Sequence, residues 1–448
     1  MMKAYPQYTK TQIQCFPTKP SEWSISRYKN ILKIMQGNAF KSSDYVDYSD
    51  VINVRMGNIK KGGRIDLTHN NKYLPNSHSN LYKEYILKEG DVIIAMTDIS
   101  PSLDFLAVPA IIPNLDKTKT YLLNQRVGKL IIDDRYDVEF VKYLLLSNEL
   151  RTQLKALGLG TVQGNMSSNH LYDSYFLCPP KKDREKIVLF LNSETSRIDN
   201  LIAEKENFIK LLSEKRQALI SHVVTKGLNP NVPMKDSGVE WIGEIPEHWK
   251  IGALGYYGSV TSGSTPDRSN ESFWNGDIPW IKTGEIKYNI ITSTEEKVTE
   301  KALSGSSIRL SPKGTILMAM YGQGNTRGRV AILGIDSTYN QACAAITLNS
   351  QLFNSFLFNY YIAAYEHLRM EGNLTSQTNL NAEIIKKFKV VVPPIKEQRE
   401  IVSFLESNLK KYDNLKEETL QSIELLKEHR TALISAAVTG KIDVREEV

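Results

Sequence analysis

The chain has 448 residues, of which 41% are apolar and 24% charged, so we expect a folded globular protein with two or three domains. Its net charge of +6 allows a polyanionic partner without requiring one. The wide spacing of Cys15, Cys178 and Cys343 excludes a zinc knuckle and a disulfide framework, and the lack of a signal-peptide pattern or a membrane-length apolar stretch predicts a cytoplasmic protein.

The first variable region, residues 1–178, has the pattern of a β-rich domain. Short apolar runs between turn residues predict strands at Val92–Met96 and Val127–Ile132, and a helical pattern covers Val138–Leu150. A basic, glycine-rich loop precedes them at Arg55–Arg64. Turns of this kind are typical of a domain that displays loops on its surface.

A long helix is predicted within residues 179–227. Pro179-Pro180 can precede a helix but cannot lie inside one, and Asp183 suits the positive end of the helix dipole. No proline or glycine follows until Gly227, which leaves roughly 43 uninterrupted residues, or about 65 Å of helix.

The second variable region, residues 228–392, repeats the β-rich character. Its helical pattern covers Leu352–Arg369, and its basic loop is Tyr321–Arg329. That loop lacks the Gly-Lys-Ser/Thr ending of a P-loop, so it is not a nucleotide cradle. The predicted strands are Thr315–Met320, Val330–Leu333 and Ala344–Leu348.

The two basic loops contain residue types that bind DNA. Glycine lets a backbone approach a phosphate closely, arginine can bind guanine through two hydrogen bonds, and asparagine or glutamine can do the same for adenine. Basic loops are also common as ordinary solvated turns, so the residue types alone leave both interpretations open. The candidate DNA-binding residues are Arg55, Asn58, Lys60, Lys61, Arg64, Thr265, Lys282, Tyr321, Gln323, Asn325, Arg327 and Arg329.

The last region, residues 393–448, repeats the first long helix. When Pro179-Pro180 is placed over Pro393-Pro394, an offset of 214 residues, 23 of the 47 positions up to Thr225 and Thr439 are identical without a gap. The chain is therefore two versions of one plan, each a variable region followed by a nearly fixed one. Weaker echoes upstream pair Pro20 with Pro246, Trp23 with Trp249, Asn124-Gln125 with Asn340-Gln341, and Thr161, Gln163 and Asn165 with Thr375, Gln377 and Asn379.

An apolar 4-3 spacing runs along both helices and predicts a seam between them. Helices this long and this polar need a partner stripe, and the economical partner is the other copy. We expect Lys205, Lys215, Thr419 and His429, which interrupt the stripe, at the solvated edges of an ordinary helical core. The predicted seam residues are Ile187, Leu191, Ile198, Leu201, Phe208, Leu212, Leu219, Ile401, Leu405, Tyr412, Leu415, Leu426 and Leu433.

Several stretches of the second half resemble the DNA-specificity subunits of type I restriction–modification enzymes. The resemblance covers nearly the whole C-terminal half, whereas the N-terminal half keeps little of the pattern. The stretches are Met234–Trp249, similar to the lead-in to a target-recognition domain; Ser262–Pro266, Trp274, Gly276–Ile281 and Thr283–Ile286, similar to its opening; Asn340-Gln341 and Thr375-x-Gln377-x-Asn379-Leu380; and Pro393-Pro394 with Glu397–Val402, similar to the start of the conserved helix.

The resemblance implies an α+β fold with two mixed β-rich target-recognition domains, each followed by a long α-helix, the two helices packing as an antiparallel coiled coil with pseudo-twofold symmetry. It divides the chain into a first target-recognition domain (1–178), a first conserved helix (179–227), a second domain (228–392) and a second conserved helix (393–448). The implied partners are double-stranded DNA, two methyltransferase subunits and the restriction–motor subunits, with no membrane. S-adenosylmethionine, ATP and Mg²⁺ are expected on those partners, and this chain is expected to be non-catalytic.

The residues agree with a non-catalytic protein, because the sequence has no Asn/Asp-Pro-Pro-Tyr/Phe methylation motif and no Walker lysine. One alternative is a Mg²⁺-dependent nuclease that uses Asp267, Glu285 and Lys287. Such short patterns recur by chance, and the first half has no matching pair. A second alternative, a helical scaffold whose variable domains bind proteins, is disfavoured by the basic loops.

Overall fold

The computed structural model describes residues 3–60, 62–98, 105–157, 164–322, 325–371 and 379–447. They form two compact units. Unit 1 consists of Met1–Lys205 and Gln421–Val448, and unit 2 consists of Glu206–Leu420. Each unit therefore holds one β-rich domain together with part of both long helices, and the fold mixes helix and sheet as the sequence predicts. No helix within the described ranges has both the length and the apolar character needed to cross a membrane.

The β-rich domain of unit 1 is built from short elements. Its helices are α1 (His78–Leu81), α2 (Val138–Leu146), α3 (Asn148–Ala156) and α4 (Ser168–Tyr172). Its strands are β1 (Tyr8–Ile13), β2 (Phe16–Pro20), β3 (Ser24–Arg27), β4 (Leu32–Gln36), β5 (Val51–Val54), β6 (Ile59–Lys60), β7 (Arg64–Ile65), β8 (Lys72–Leu74), β9 (Val92–Ala95), β10 (Thr97–Asp98), β11 (Pro109–Ile111), β12 (Thr120–Leu123), β13 (Val127–Ile132), β14 (Gly164–Asn165) and β15 (Tyr175–Cys178).

The long helix α5 (Lys181–Lys226) follows, and the β-rich domain of unit 2 comes after it. Its strands are β16 (Met234–Asp236), β17 (Glu244–Pro246), β18 (Lys250–Ala253), β19 (Gly258–Ser262), β20 (Trp274–Ile281), β21 (Ile290–Ile291), β22 (Glu296–Val298), β23 (Ile316–Ala319), β24 (Val330–Leu333), β25 (Thr338–Tyr339), β26 (Cys343–Leu348) and β27 (Lys389–Val392). Its helices are α6 (Glu300–Gly305), α7 (Asn354–Ala363), α8 (Tyr365–Glu371) and α9 (Ala382–Lys387), and the second long helix α10 (Ile395–Val438) ends the fold.

The two β-rich domains share one strand order. In unit 1 one sheet has the order β11-β9-β13-β4, and in unit 2 the matching sheet runs β24-β23-β26-β19, with β21 added at its edge. A second sheet is β12-β5-β8 in unit 1 and β25-β20-β22 in unit 2, and in both the first pair is parallel and the second antiparallel. The duplication therefore extends through the variable regions, where the sequence shows only scattered echoes.

Burial in the apolar cores explains why some strands can be predicted from the sequence. All four residues of β9 and all four of β23 are buried, because each strand is central in its sheet. In unit 1, Ile93 and Ala95 of β9 belong to one apolar cluster with Ile52 and Val54 of β5, so the two sheets pack face to face. The predicted strands at Val127–Ile132 and Val330–Leu333 are confirmed to the residue.

Each predicted helical patch of the variable regions is divided in two. The pattern Val138–Leu150 is split because Ser147 has an extended backbone, and its side chain accepts a hydrogen bond from the Leu150 amide at the start of α3. In unit 2, Leu352–Arg369 begins later than predicted, at Asn354, and is divided at Ala364. Periodicity finds such helices but does not show a capping residue inside the pattern.

The long helices are confirmed and are slightly longer than the prediction, with 46 residues in α5 and 44 in α10. Glycine ends each of them: Gly227 and Gly440 have φ of +78° and +67°, the left-handed conformation that favours glycine after a helix.

The predicted seam is wrong near the middle of each helix. Phe208 and Leu415 are 44% and 43% exposed, whereas Ile202 and Ile423 are buried. Thr419, expected at a solvated edge, is also buried, and its hydroxyl donates a hydrogen bond to the Leu415 carbonyl. A strict seven-residue repeat drifts by about 20° per heptad around a 3.6-residue helix, so the buried stripe moves to neighbouring positions.

Most other predicted seam residues do face the core. Lys205 is partly exposed, and Lys215 and His429 are exposed, as expected for edge positions. Leu201, Leu219, Tyr412 and Leu426 are partly buried. The fully buried seam residues are Ile187, Leu191, Ile198, Leu212, Ile401, Leu405 and Leu433.

Candidate nucleic-acid interface

The first basic loop, Arg55–Arg64, lies in the domain of unit 1 and ends in a small hairpin. Strands β6 and β7 pair across Gly62 and Gly63, whose φ of +79° and +83° permit the tight turn. The side chains of Lys60 and Arg64 are exposed on this hairpin. Two cationic groups are thus held on a short, ordered projection.

A residue of the second long helix forms a hydrogen bond with this hairpin. Arg430 of α10 donates from Nη2 to the Gly62 carbonyl at 3.4 Å and to Asp199 Oδ2 of α5 at 3.2 Å. At the other end of the loop, Arg55 Nη2 donates to the Asn70 carbonyl at 3.3 Å. The hairpin is therefore tied both to its own domain and to the part of the helices that belongs to unit 1.

The prediction that Asn58 contacts DNA is wrong. Its side chain is only 3% exposed, and its Oδ1 accepts a hydrogen bond from the Arg55 amide at 2.9 Å. Its Nδ2 donates to the Asp66 carbonyl at 2.8 Å and to Asn71 Oδ1 at 3.2 Å. A buried amide with these partners stabilises the turn and presents nothing to a base.

The second basic loop connects β23 to β24 in unit 2. Tyr321 and Asn325 are exposed, and Arg327 and Arg329 are half-buried. The Arg329 guanidinium lies 6.0 Å from the Tyr288 ring centroid. Burial raises the pKa of the Tyr288 hydroxyl, so Tyr288 stays neutral beside the arginine. The Arg329 end of the loop is thus packed against its own domain.

Thr265 and Lys282 lie in the opening of the unit 2 domain and have protein partners. The Thr265 hydroxyl donates to Gln341 Oε1. The Lys282 ammonium contacts Glu295 at 2.9 Å and Glu296 at 3.1 Å, and these hydrogen bonds, Glu295 first, raise the pKa of Lys282. A lysine paired with two carboxylates is a weaker candidate for a phosphate contact than Lys60 of the first hairpin, whose ammonium donates to the Gly57 carbonyl at 3.0 Å and lies 3.9 Å from one carboxylate, that of Asp66.

Some predicted positions lie outside the described residues. They are Lys61 and Gln323 of the two loops, together with Thr161, Gln163, Thr375 and Gln377 of the repeated polar motif. From the same motif Asn165 pairs with Thr97 across β14 and β10.

Sequence patterns missed two arginines, one of which lies beside the second loop. Arg369 of α8 contacts the second loop through Asn325, although more than forty residues separate them. Arg268 lies 3.9 Å from the ring centroid of Trp274 and 2.5 Å from Glu296. Burial opposes ionisation of Glu296, but hydrogen bonds from Arg268 and Lys282 outweigh it and lower the pKa of Glu296. No local pattern could reveal the contacts with Asn325 and Glu296, because each joins stretches of the chain that are 28 or more residues apart.

The nuclease alternative finds no support in the geometry. The Glu285 carboxylate accepts a hydrogen bond from the Lys282 amide at 2.8 Å, and therefore performs in unit 2 the turn-capping task that Asn58 performs in unit 1. Asp267 accepts from the amide and hydroxyl of Ser269, and these bonds lower the pKa of Asp267. Within the described ranges, no group of three or more His, Cys, Asp or Glu residues is arranged to hold a metal ion.

Comparison with known proteins agrees with this picture. The profile of the type I restriction modification DNA specificity domain matches twice, at residues 20–211 and 246–425. The MjaIX specificity subunit of Methanocaldococcus jannaschii is 30% identical over 41% of this chain and 42% of its own length. The putative MjaX specificity subunit of the same organism is 23% identical over 95% of both chains. The EcoR124I/EcoR124II specificity subunit of Escherichia coli is 26% identical over 53% of this chain and 55% of its own.

Two solved structures share the fold. A chain from a structure of the type I R-M system, concerned with complex assembly and conformational transition, has a TM-score of 0.69 and 17% identity, covering 95% of this chain and 99% of that one. The HsdS subunit from Thermoanaerobacter tengcongensis has a TM-score of 0.50 and 17% identity, covering 95% and 98%.

Two domains of one topology, each joined to a long helix and each matched by the profile of a DNA specificity domain, define a modular protein of the DNA-recognition class. Since the family profile covers most of both halves, the chain belongs to the type I restriction modification DNA specificity family. The relatives named above are specificity subunits of type I restriction enzymes.

Proposed function

We propose that this chain reads a bipartite DNA target, with one half-site bound by each β-rich domain. The supporting observation is that the two domains share a strand order but differ in surface residues. The same turn begins with Arg55 in unit 1 and with Lys282 in unit 2, so equivalent backbone positions of the two domains carry different side chains. We assign the target-recognition domains to residues 1–178 and 228–392, and the conserved helices to 179–227 and 393–448.

We further propose that the two long helices pair as an antiparallel coiled coil with pseudo-twofold symmetry. In unit 1, Asp199 in the first half of α5 pairs with Arg430 near the end of α10 at 3.0 Å. In unit 2, Arg216 of α5 pairs with Asp413 of α10 at 3.5 Å. The 214-residue repeat offset exchanges these two pairs, as a twofold axis between antiparallel helices requires.

The helices then set the spacing between the half-sites. A helix of 46 residues spans about 70 Å, and duplex DNA, with a persistence length of about 150 base pairs, does not easily bend to absorb a changed separation. The helix length therefore determines how many base pairs between the half-sites remain unread.

We also propose that the chain assembles with two methyltransferase subunits and, through them, with restriction–motor subunits in the cytoplasm. S-adenosylmethionine, ATP and Mg²⁺ belong to those partners. Support for two equivalent docking surfaces comes from Leu211 and Leu425, which occupy the same position in the two copies and are 48% and 65% exposed. An apolar residue kept exposed in both copies suits an interface that is used twice.

The test of this function is sequencing of methylation sites in cells that carry this chain and its methyltransferase. The centre between Asp199 and Arg216 falls between Asn207 and Phe208 on α5, and the centre between Asp413 and Arg430 falls between Gln421 and Ser422 on α10. Inserting one heptad at both centres lengthens both helices and keeps the seam in register.

The expected result is a longer unread spacer between unchanged half-sites. A heptad inserted in α5 alone is the matched control, and it should abolish methylation because the helices no longer match in length. Altered half-sites at an unchanged spacing would contradict the proposed role of the helices, and methylation without two half-sites would contradict bipartite recognition itself.

A further inference from the structure

Two residues of helix α8, Tyr365 and Arg369, lie against the second basic loop, and we refer to them as the loop clamp. The Tyr365 hydroxyl donates to the Asn325 carbonyl at 2.6 Å. Arg369 Nη1 donates to the Tyr365 hydroxyl at 3.1 Å and to Asn325 Oδ1 at 3.5 Å. The Arg369 guanidinium also lies 5.3 Å from the Tyr365 ring centroid, so the two clamp residues orient each other.

Two residues at the other end of the loop, Arg327 and Gly328, also contact the loop clamp. Arg327 Nη2 donates to the Arg369 carbonyl at 3.3 Å. Gly328 has a φ of +86°, and a Cβ atom there would lie 3.4 Å from Arg369 Cγ and 3.6 Å from the Tyr365 ring. The segment from Asn325 to Arg329 is therefore held at both of its ends against one face of α8.

The clamp is itself supported by the domain core. The Tyr365 ring makes an edge contact with Tyr288 at 5.9 Å between centroids, and Tyr288 is the ring over which Arg329 lies. Leu368, between the two clamp residues, is completely buried. Because α8 is anchored in this way, its side chains provide a fixed reference for the loop, which the loop's own glycines cannot provide.

We propose that Tyr365 and Arg369 are positioning residues that hold the loop Asn325–Arg329 in its DNA-binding geometry, so that base discrimination in the second half-site depends on a helix outside the loop. This inference rests on the proposed function, because it requires that the second domain reads DNA. A loop released from the clamp must be ordered again on binding, which weakens binding to the correct half-site most. Arg369 Nη1 already donates to two acceptors in the domain, and the salt dependence of binding tests whether its other nitrogens contact a phosphate.

The experiment uses the full chain in complex with its methyltransferase. Binding to duplexes with the correct target, with a substituted second half-site and with a substituted first half-site is measured at several salt concentrations. The variants are Arg369→Gln, which removes the guanidinium but keeps a polar side chain, and Tyr365→Phe, which removes only the hydroxyl; both are mild enough to favour a folded domain. The control is Met370→Gln, at an exposed neighbouring position on the same helix.

Both clamp variants are expected to bind the correct target about tenfold more weakly and to lose discrimination at the second half-site only. Discrimination at the first half-site and the slope of log K against log salt should stay as in the unmodified protein. The Met370→Gln variant should match the unmodified protein in every measurement.

Three results would overturn the inference. A salt slope that falls by about 0.9 in Arg369→Gln, with discrimination intact, would make Arg369 a phosphate contact. Unchanged binding by both variants would remove the clamp from recognition, as would equal losses at both half-sites. If the unmodified protein itself does not discriminate at the second half-site, the proposed function fails, and the clamp fails with it.

Discussion

The C-terminal ends of the two long helices meet equivalent tryptophans, but the chain connects the two junctions differently. In unit 2, Gly227 packs on Trp249, and only a short continuous segment lies between them. In unit 1, Gly440 packs on Trp23, which lies at the opposite end of the sequence. The hairpins before both tryptophans have the same register, with Tyr8 opposite Pro20 and Met234 opposite Pro246.

Side-chain and backbone contacts replace the covalent connection in unit 1. The Tyr8 hydroxyl donates to the Gly440 carbonyl at 2.6 Å, and the Asp443 amide donates to the Lys3 carbonyl at 2.7 Å. The Arg445 guanidinium lies 4.7 Å from the Tyr5 ring centroid. The comparison shows that surface complementarity at the helix end builds this junction, and that chain continuity is not required for it.

The junctions also differ in one methylene group. Glu397 accepts a hydrogen bond from Trp249 Nε1 at 2.9 Å and contacts His248 Nε2 at 2.8 Å. The equivalent residue in unit 1 is the shorter Asp183, whose Oδ2 is buried. Within the described part of the chain, neither this oxygen nor Trp23 Nε1 has a hydrogen-bond partner.

The largest effect is expected from adding a methyl group to the glycine of the unit 1 junction. A Cβ at Gly440 would lie 2.4 Å from Pro20 Cγ, whereas the nearest atom to a Cβ at Gly227 is Trp249 Cζ2 at 3.1 Å. We expect Gly440→Ala to lower the free energy of unfolding by about 2–4 kcal/mol and Gly227→Ala by about 1–2 kcal/mol, from strain and overpacking. Urea titration of the full chain measures both.

Gly238→Ala is the control for this comparison, because Gly238 also has a positive φ but its Cβ would meet nothing within 4 Å. It isolates the backbone strain from the clash. If Gly440→Ala is no more destabilising than this control, the contact with Pro20 does not limit the junction.

A smaller effect is expected when each acidic residue is removed. Glu397→Ala deprives the buried Trp249 Nε1 of its acceptor and should cost about 1–3 kcal/mol of unfolding free energy. Asp183→Ala should cost only about 0.3–1 kcal/mol, because it loses mainly the interaction with the helix dipole. Thermal unfolding of both variants checks the difference, and Glu397→Gln, which keeps an acceptor, is the control. Equal losses of unfolding free energy in the two alanine variants would show that Asp183 and Glu397 contribute equally to their junctions.

The smallest expected effect is an increase in the free energy of unfolding. Asp183→Glu restores the missing methylene and allows a bond to Trp23 Nε1, which should add about 0.5–1.5 kcal/mol to the free energy of unfolding. The reciprocal Glu397→Asp should lose a similar amount. The same urea titration measures both, and a destabilised Asp183→Glu would mean that the side-chain length is fitted to a different environment in unit 1.

The sequence predicts the features that repeat and misses those that depend on distant contacts. The helices are evident because 214-residue spacing and the absence of proline and glycine are properties of the chain itself. The echoes Pro20 and Trp23 now have a reason, since both pack on Gly440. Asn58 was misread because an amide suits both a base contact and a buried turn, and only its burial decides.

The shared topology of the two domains could not be read from the first half. Its strands keep the same order with different side chains, and strand order depends on pairings between residues far apart in sequence. For most residues of the two basic loops, contact with DNA stays a prediction. Arg369 was missed because its role depends on Asn325, which only the folded domain brings near.

The contact between the two ends of the chain has a consequence during protein synthesis. Lys3 pairs with Glu446 at 2.8 Å across 443 residues of sequence, and Tyr8 bonds to the carbonyl of Gly440. At about 5–20 residues per second, the ribosome completes the second half of this junction roughly 20–90 s after the first. During that interval the Trp23 surface has no helix end to cover it. A nascent first domain therefore presents an apolar face to chaperones and to neighbouring chains until the residues around Gly440 have been synthesised.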